Sequence, residues 1–266
     1  MTAKLHITDV HVGYPGKKVI NGLTLPPLVS GEVTVLSGPN GAGKSTLLRA
    51  MAGLLRMTGS LRYEEQERNE EHELTTLSIQ QRAKLVSFMP QAVPTDINLS
   101  VVEAVISALK ASPLDAANTG NSGLYQRAYA VLERVGIAHL ALQPLSQLSG
   151  GQRQLASLAR SIVREPKMLL LDEPTSALDL RHQLKVMRLA RSLAADGRIV
   201  VMVLHDLNLA LRWSDRVIVM AQGAMASQGT PTEAITPDVI ASVYGIQARV
   251  EQCSQGYPHL IVDGEC

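Results

Sequence analysis

The sequence predicts an α/β fold built on a parallel sheet covered on both faces, and three observations predict it. Met168 to Leu171 and Ile199 to Leu204 are unbroken apolar runs of strand length, the mark of strands buried on both sides. Between them Val186, Leu189, Ala190 and Leu193 recur at helical spacing. A third β-prone run, Glu32 to Leu36, enters a glycine-rich turn and then a helical pattern through Leu47, Leu48, Met51 and Leu55.

The remaining elements follow in chain order. Leu5 to Val12 and Val19 to Leu25 are short β-prone runs separated by a turn. Residues 64 to 73 are a charge run, expected as a solvated loop or strand tip. Leu85 to Met89 is a further strand, ending at Pro90-Gln91. From Leu99 to Glu165 the pattern is helical: Val101, Val105 and Leu109 share one spacing, and Tyr125, Tyr129 and Glu133 with apolar neighbours share another. The polar stretch Ser112 to Gly123 predicts a surface loop between these two helices. Leu155, Leu158, Ala159 and Ile162 lie on one face of the next helix. Two β-prone pieces around Gly256 predict a small C-terminal appendage, and no motif occurs twice, so the chain is one unit and not a tandem pair.

Composition narrows the class. At 266 residues the chain suffices for one large α/β domain, and with 45% hydrophobic but 3% aromatic residues its core is aliphatic. A net charge of +1 gives no electrostatic reason to expect nucleic acid or an anionic membrane surface as the main partner. No apolar run approaches the roughly 18 residues needed to cross a bilayer, and Met1 to His6 lacks the apolar core of a signal peptide. The two cysteines, Cys253 and Cys266, imply neither a disulfide framework nor a metal cluster and fit a reducing cytoplasm.

The glycine-rich turn carries chemistry. Gly38-Pro39-Asn40-Gly41-Ala42-Gly43-Lys44-Ser45 matches G-x-x-x-x-G-K-[ST], a P-loop, and it stands in the strand–turn–helix context that this motif needs. Its glycines let successive backbone N–H groups turn onto phosphates, and the following helix adds its positive N-terminal end. Lys44 reaches the β- and γ-phosphates, and Ser45 offers a hydroxyl to Mg²⁺. The competing dinucleotide pattern G-x-G-x-x-G fails, because the third glycine position after Gly41 and Gly43 is Thr46. Asp172-Glu173 ends an apolar strand, where an Asp can face the crevice in which α/β sheets bind ligands and hold Mg²⁺.

Downstream lies Leu148-Ser149-Gly150-Gly151-Gln152. With each glycine at roughly 7% of positions, such a match arises by chance about once in several thousand chains of this size. P-loop and signature in this order resemble the ATP-binding cassette (ABC) ATPases, from about Leu5 to Gly229. The resemblance implies a P-loop NTPase (RecA-like) core with an antiparallel β subdomain and an inserted helical signature subdomain. In this chain that gives a single ATPase domain, 1–266: residues 1–91 and 166–233 as core with β subdomain, 92–165 as helical subdomain, and 234–266 as appendage.

The resemblance also implies roles. Glu173 is the carboxylate that orients and polarises the attacking water, within Pro174 to Asp179 as downstream context. His205 is the switch histidine that contacts the γ-phosphate. Gln91 bridges Mg²⁺ or the lytic water to the helical subdomain, and Tyr14 stacks on adenine, with poor base selectivity as the consequence. Ser149, Gly150, Gly151 and Gln152 present their helix start to the γ-phosphate held by a second cassette, with Asp179 near the seam. ATP and Mg²⁺ are the expected cofactors and a head-to-tail homodimer the expected working form.

Leu178 to Gln183, His205 to Ala210 and Arg82 to Leu85 resemble the importer branch for iron chelates, haem and vitamin B12. That branch implies a cassette on the cytoplasmic face of the inner membrane, docked on separate integral membrane permease subunits, with an extracytoplasmic substrate-binding protein reached through the permease. Residues Ala92 to Val101 would border the docking groove. Ferric siderophores come first as cargo, then haem, then cobalamin; an exporter shares the catalytic motifs and stays open as an alternative. Soluble relatives acting on DNA or ribosomes carry paired cassettes or long coiled coils, and this chain has neither a second cassette nor sustained heptads. Lys44→Ala is expected to abolish nucleotide binding; a titration giving unchanged ATP affinity would contradict the P-loop assignment.

Overall fold

The computed structural model describes residues 2–67, 70–91, 99–110 and 121–266. Strands β1 (Ala3–Tyr14) and β2 (Lys17–Val29) form a hairpin, followed by β3 (Val33–Ser37) and helix α1 (Lys44–Met51). A second hairpin, β4 (Met57–Glu65) and β5 (Glu70–Glu73), precedes α2 (Ile79–Leu85) and β6 (Val86–Met89). Helices α3 (Val101–Lys110), α4 (Asn121–Val135) and α5 (Gly150–Ile162) come next. The chain then alternates: β7 (Met168–Asp172), α6 (Leu180–Ala195), β8 (Ile199–Val203), α7 (Leu207–Trp213) and β9 (Arg216–Ala221). After β10 (Ala224–Gly229), α8 (Pro231–Ala234) and α9 (Pro237–Tyr244), it closes with the hairpin β11 (Ile246–Gln252) and β12 (Pro258–Glu265).

The central sheet runs β10-β9-β3-β8-β7-β6, parallel from β9 to β6, with β10 antiparallel at one edge. Alternation along its strands explains their composition. Leu169, Leu171, Val200 and Met202 face one core, which they share with α3, α4, α5 and α6. Met168, Leu170, Ile199 and Val201 face a second core, shared with α1 and an antiparallel sheet of order β2-β1-β4-β5. Side chains on a strand point alternately to its two faces, so β8, covered on both, is wholly apolar, and β7 carries no polar residue before its last, Asp172.

Several expectations shift. Helix α1 stops at Met51, so Leu55 lies beyond it, partly buried against the second core. The predicted Leu85–Met89 strand begins at Val86, because Leu85 closes α2, which no periodicity had marked. A signal for α2 was present: Ser78 and Gln81 form a capping box. The charge run is not wholly solvated. Glu65 is buried and paired with Lys167 at 3.2 Å, while Glu73 accepts hydrogen bonds from Ser60 Oγ (2.5 Å) and the Leu61 N–H (2.9 Å). Glu73 thus staples β5 to β4 and Glu65 ties the hairpin to the segment before β7, while Glu70 and Glu71 face solvent.

On α4 the buried stripe is Leu124, Ala128, Leu132 and Val135, and Tyr125 and Tyr129 are exposed. The tyrosines share the spacing of the true stripe, displaced by one residue, which turns them off the core. Of the expected Ser112–Gly123 loop, residues 121–123 belong to α4 and the rest lie outside the described residues, as do residues 92–98 of the expected docking groove. Leu170 is fully buried. Leu170→Ala is expected to cost about 3 kcal/mol through lost burial and a residual cavity, read from urea unfolding without nucleotide; a loss under about 1 kcal/mol would mean that the sheet repacks around the gap.

Candidate active site

Strand register sets the site. Leu36 pairs with Val203, and Val203 pairs with Asp172 across β3, β8 and β7. The segments that leave this row, Ser37-Gly38, Leu204-His205 and Asp172-Glu173, therefore emerge side by side at one edge of the sheet. This is the carboxyl end of the parallel strands, where open α/β sheets bind ligands.

The first of these segments wraps into the P-loop. Gly38 has φ 139°, and a Cβ there would stand 2.0 Å from the Met220 carbonyl oxygen, so no other residue fits. Helix α1 opens at Gly43 without a side-chain cap, leaving its first backbone N–H groups directed at the loop cavity. Lys44 is buried and donates to the carbonyls of Gly38 (2.7 Å) and Pro39 (2.9 Å). Burial holds its pKa below the usual lysine value, opposed by the carboxylates of Glu173 and Asp172.

The cavity above the loop, 630 Å³, is lined by Asn40 through Thr46 together with Gln91, Glu173 and His205. Tyr14, 40% exposed at the end of β1, faces the same cavity. Lys17, Lys18 and Gln222 line it as well, and sequence reasoning missed them. The two lysines pair with Tyr14 and Gly13 across the β1–β2 turn, so the motif-bearing tyrosine could have pointed to them. They add cationic charge at the mouth of a phosphate-binding loop.

Asp172 sits wholly buried at the end of β7. Ser45 Oγ donates to its Oδ1 at 2.8 Å, while Oδ2 is buried with no hydrogen-bond partner. An orphaned buried carboxylate oxygen is costly unless a ligand completes it. Burial raises the Asp172 pKa; the Ser45 hydrogen bond and Arg49 oppose this, Glu173 adds to it, and Lys44 opposes it. Carboxylate, hydroxyl and the nearby Gln91 amide form an oxygen donor set suited to a hard divalent cation that draws its other ligands from phosphates. Among the described residues no cluster of three or more His, Cys, Asp or Glu could hold a metal without such help.

Glu173 is the most constrained residue of the group, with φ 51° in a region unfavourable to a side chain with a Cβ. Its carboxylate accepts from Gln91 Nε2 at 2.7 Å and from His205 Nε2 at 2.6 Å. Its carbonyl accepts from Gln154 Nε2 at 2.5 Å and Ser176 Oγ at 3.2 Å. Gln154, on α5, also accepts from the Ala177 N–H at 3.1 Å, and so fixes the turn that presents Glu173. Its role was invisible in the sequence, because a glutamine three residues past a glycine pair has no distinguishing spacing.

Ser149 caps α5, with Gln152 completing a capping box. Gly151 lies against the Glu173–Asp179 turn: a Cβ there would meet the Ala177 carbonyl at 3.0 Å and Leu178 Cδ2 at 3.2 Å. Ser149 to Gln152 line a second cavity of 500 Å³ with Ala177, Asp179 and His182. Asp179 caps α6 by accepting from the His182 N–H at 2.8 Å, which with the His182 ring lowers its pKa. One chain thus gathers the P-loop, Tyr14, Gln91, Asp172, Glu173 and His205, and sets the signature residues and Asp179 apart from them.

A family model described as ABC transporter matches residues 25–176. The chain is 39% identical over 256 residues to the hemin import ATP-binding protein HmuV of Aliivibrio fischeri, covering 94% of each. It is 38% identical over 263 residues to the protein of the same name from Pseudomonas fluorescens, covering 97% of this chain and 99% of that one. Among solved structures it is similar to a transporter described as of metal-chelate type in an inward-facing conformation, at 26% identity and TM-score 0.79 over 98% of both chains. A dimeric ATP-binding cassette in a post-hydrolysis state, bound to ADP and phosphate, is similar at 25% identity and TM-score 0.74, over 86% of this chain and 99% of that one.

A buried acid with a raised pKa favours the folded chain in acid, and that contribution is lost as pH rises through the folded-state value. Asp172→Asn, free of the buried charge, is expected to match the wild type near about pH 3 and exceed its stability by about 1 kcal/mol at about pH 8. Urea unfolding without metal or nucleotide checks this; a variant no more stable at the higher pH would show that neighbouring cations already offset the charge.

Proposed function

The chain belongs to the ABC transporter family, whose ATP-binding subunits hydrolyse ATP, and we propose that it powers import of an iron chelate as a homodimer against membrane permease subunits. The observation that carries the hydrolytic reading is Glu173, held between Gln91 and His205 across a phosphate-loop cavity from Lys44.

ATP enters with its phosphates along the P-loop, where the N–H groups at the start of α1 and the Lys44 ammonium receive them. Lys44 exchanges the Gly38 and Pro39 carbonyls for phosphate oxygens, trading neutral acceptors for charged ones. Lys17 and Lys18 add long-range attraction at the mouth, and Tyr14 offers its ring to the base. Ser45, Asp172 and Gln91 would hold Mg²⁺, and the orphaned Asp172 oxygen is the observation that supports this fit. When bound, the ion neutralises charge developing on the phosphate oxygens. Glu173 orients the attacking water and accepts its proton as the water oxygen bonds the γ-phosphorus and the bond to the ADP oxygen breaks, giving ADP and phosphate, while His205 turns from Glu173 to the γ-phosphate. Gln91 leaves the other carboxylate oxygen as the water arrives.

The separation of signature and P-loop within one chain supports a head-to-tail pair, in which Ser149 to Gln152 of one copy close over the nucleotide of the other. Among the described residues no helix is long and apolar enough to cross a membrane, which suits a peripheral subunit at the cytoplasmic face of the inner membrane, docked on a permease. An extracytoplasmic binding protein would deliver cargo to that permease. The relatives named for hemin import support haem as the cargo to test first, before ferric siderophore and cobalamin.

Glu173→Gln is expected to bind ATP with near-normal affinity, accumulate as an ATP-bound dimer by size-exclusion chromatography, and lose hydrolysis by about a hundredfold or more. Uptake of labelled haem, ferric siderophore and cobalamin is then compared in cells lacking the protein and restored with wild type or Glu173→Gln. Recovery of haem uptake by the wild type alone is the expected result. Recovery of another cargo would replace haem, and recovery of none would overturn the importer reading.

A further inference from the structure

Helix α9 ends at Tyr244, which is far from the P-loop in sequence and against it in space. The Tyr244 hydroxyl lies 2.9 Å from the Oγ of Ser37, the residue before Gly38. Ser37 Oγ in turn points at the Leu204 carbonyl, 3.5 Å away. Proton directions fall into one consistent order: the tyrosine donates to Ser37, and Ser37 donates towards Leu204. Leu204 is the residue before His205, and the Gly38 carbonyl is the acceptor that holds Lys44.

The loop entry is thereby held at successive positions: Ser37 by Tyr244, the Gly38 carbonyl by Lys44, and the Gly38 α-carbon pressed on the Met220 carbonyl. The hydroxyl is desolvated by burial, which raises the Tyr244 pKa and keeps it protonated as a donor. The element that carries Tyr244 is itself tied down. The Asn208 side chain, just past His205, accepts from the Leu260 N–H at 2.7 Å and donates to its carbonyl at 3.4 Å, mimicking a strand neighbour for β12. Arg212 lies 4.6 Å over the Tyr257 ring at the tip of the same hairpin. The Cys266 N–H donates to the carbonyl of Gly245, the left-handed cap of α9 with φ 69°.

We propose that Tyr244 is a positioning residue of the nucleotide site, through which α9 and the C-terminal hairpin hold the P-loop entry and the strand end before His205 in one hydrogen-bonded chain. This rests on the reading of the P-loop cavity as the ATP site. The Tyr244 hydroxyl touches neither nucleotide nor metal; it keeps Ser37, and with it the start of the loop, in the conformation that receives phosphate. The appendage thus tunes nucleotide affinity from behind the loop.

The test is calorimetric titration of the full chain with the non-hydrolysable analogue AMP-PNP and Mg²⁺, for wild type, Tyr244→Phe, Ser37→Ala and the double variant. Each single change is expected to weaken binding about five-fold, the worth of one buried hydrogen bond. The double variant is expected to be no weaker than either single one, because both break the same chain. Hydrogen exchange of the peptide spanning residues 34–46 is expected to quicken in all three variants. Unchanged affinity in both single variants, whatever their melting temperatures, would overturn the proposal, as would multiplicative losses in the double variant. If Tyr244→Phe does not fold, Ser37→Ala decides alone, by loss or retention of affinity. A wild-type chain that fails to bind AMP-PNP would strike the ATP-site reading instead.

Discussion

The pairing of β3, β8 and β7 in one register is the constraint on which the site depends. Leu36, Val203 and Asp172 lie on a common row, and everything chemically active departs from it. The side-chain period of a strand is two, so a slip of one residue would exchange the faces of every apolar residue and push Asp172 into a core. The two hydrophobic cores that sandwich the sheet therefore do more than stabilise it. By making slippage costly, they locate Gly38, Asp172-Glu173 and Leu204-His205 relative to one another. Catalytic geometry here is a by-product of burial on both faces of a sheet.

Within that frame the site is arranged with its polar groups incompletely satisfied. Lys44 rests on loop carbonyls, Glu173 is shared between Gln91 and His205, and one oxygen of Asp172 has no partner. The neutral carbonyls on Lys44 can give way to charged phosphate oxygens, and the free Asp172 oxygen is open to a cation. Glu173 also sits at positive φ, sustained by the grip of Gln154 on its carbonyl and on Ala177. Gln154 belongs to the helix that the signature opens, so the Glu173 turn in the P-loop cavity is braced by the element that carries the signature residues.

The division of labour along the chain is uneven. The core strands and α1 supply the phosphate-facing groups, and α5 with the Glu173–Asp179 turn supplies the signature surface on a separate cavity. The C-terminal hairpin, remote in sequence, reaches both the P-loop entry and the segment after His205 through Tyr244 and Asn208. A compact sheet makes this economical, because the ends of its strands are neighbours whatever their order in the chain.

Much of this was legible from sequence for definite reasons. The P-loop and signature are local: their glycines, lysine and serines act through backbone geometry within a few residues, so spacing alone reveals them. Apolar runs revealed β7 and β8 because burial on both faces leaves a continuous mark. The offset stripe on α4, the buried Glu65 and the unmarked α2 were misread because their environment comes from other elements. Lys17, Gln154, Tyr244 and Asn208 carry no signature of their own; each matters through a partner distant in the chain. The amino-acid order alone determined which nucleotide chemistry the chain carries and which strands and helices frame it. Folding decided which side chains brace that chemistry, since long-range contacts depend on where the ends of paired strands meet, a relation that local spacing does not encode.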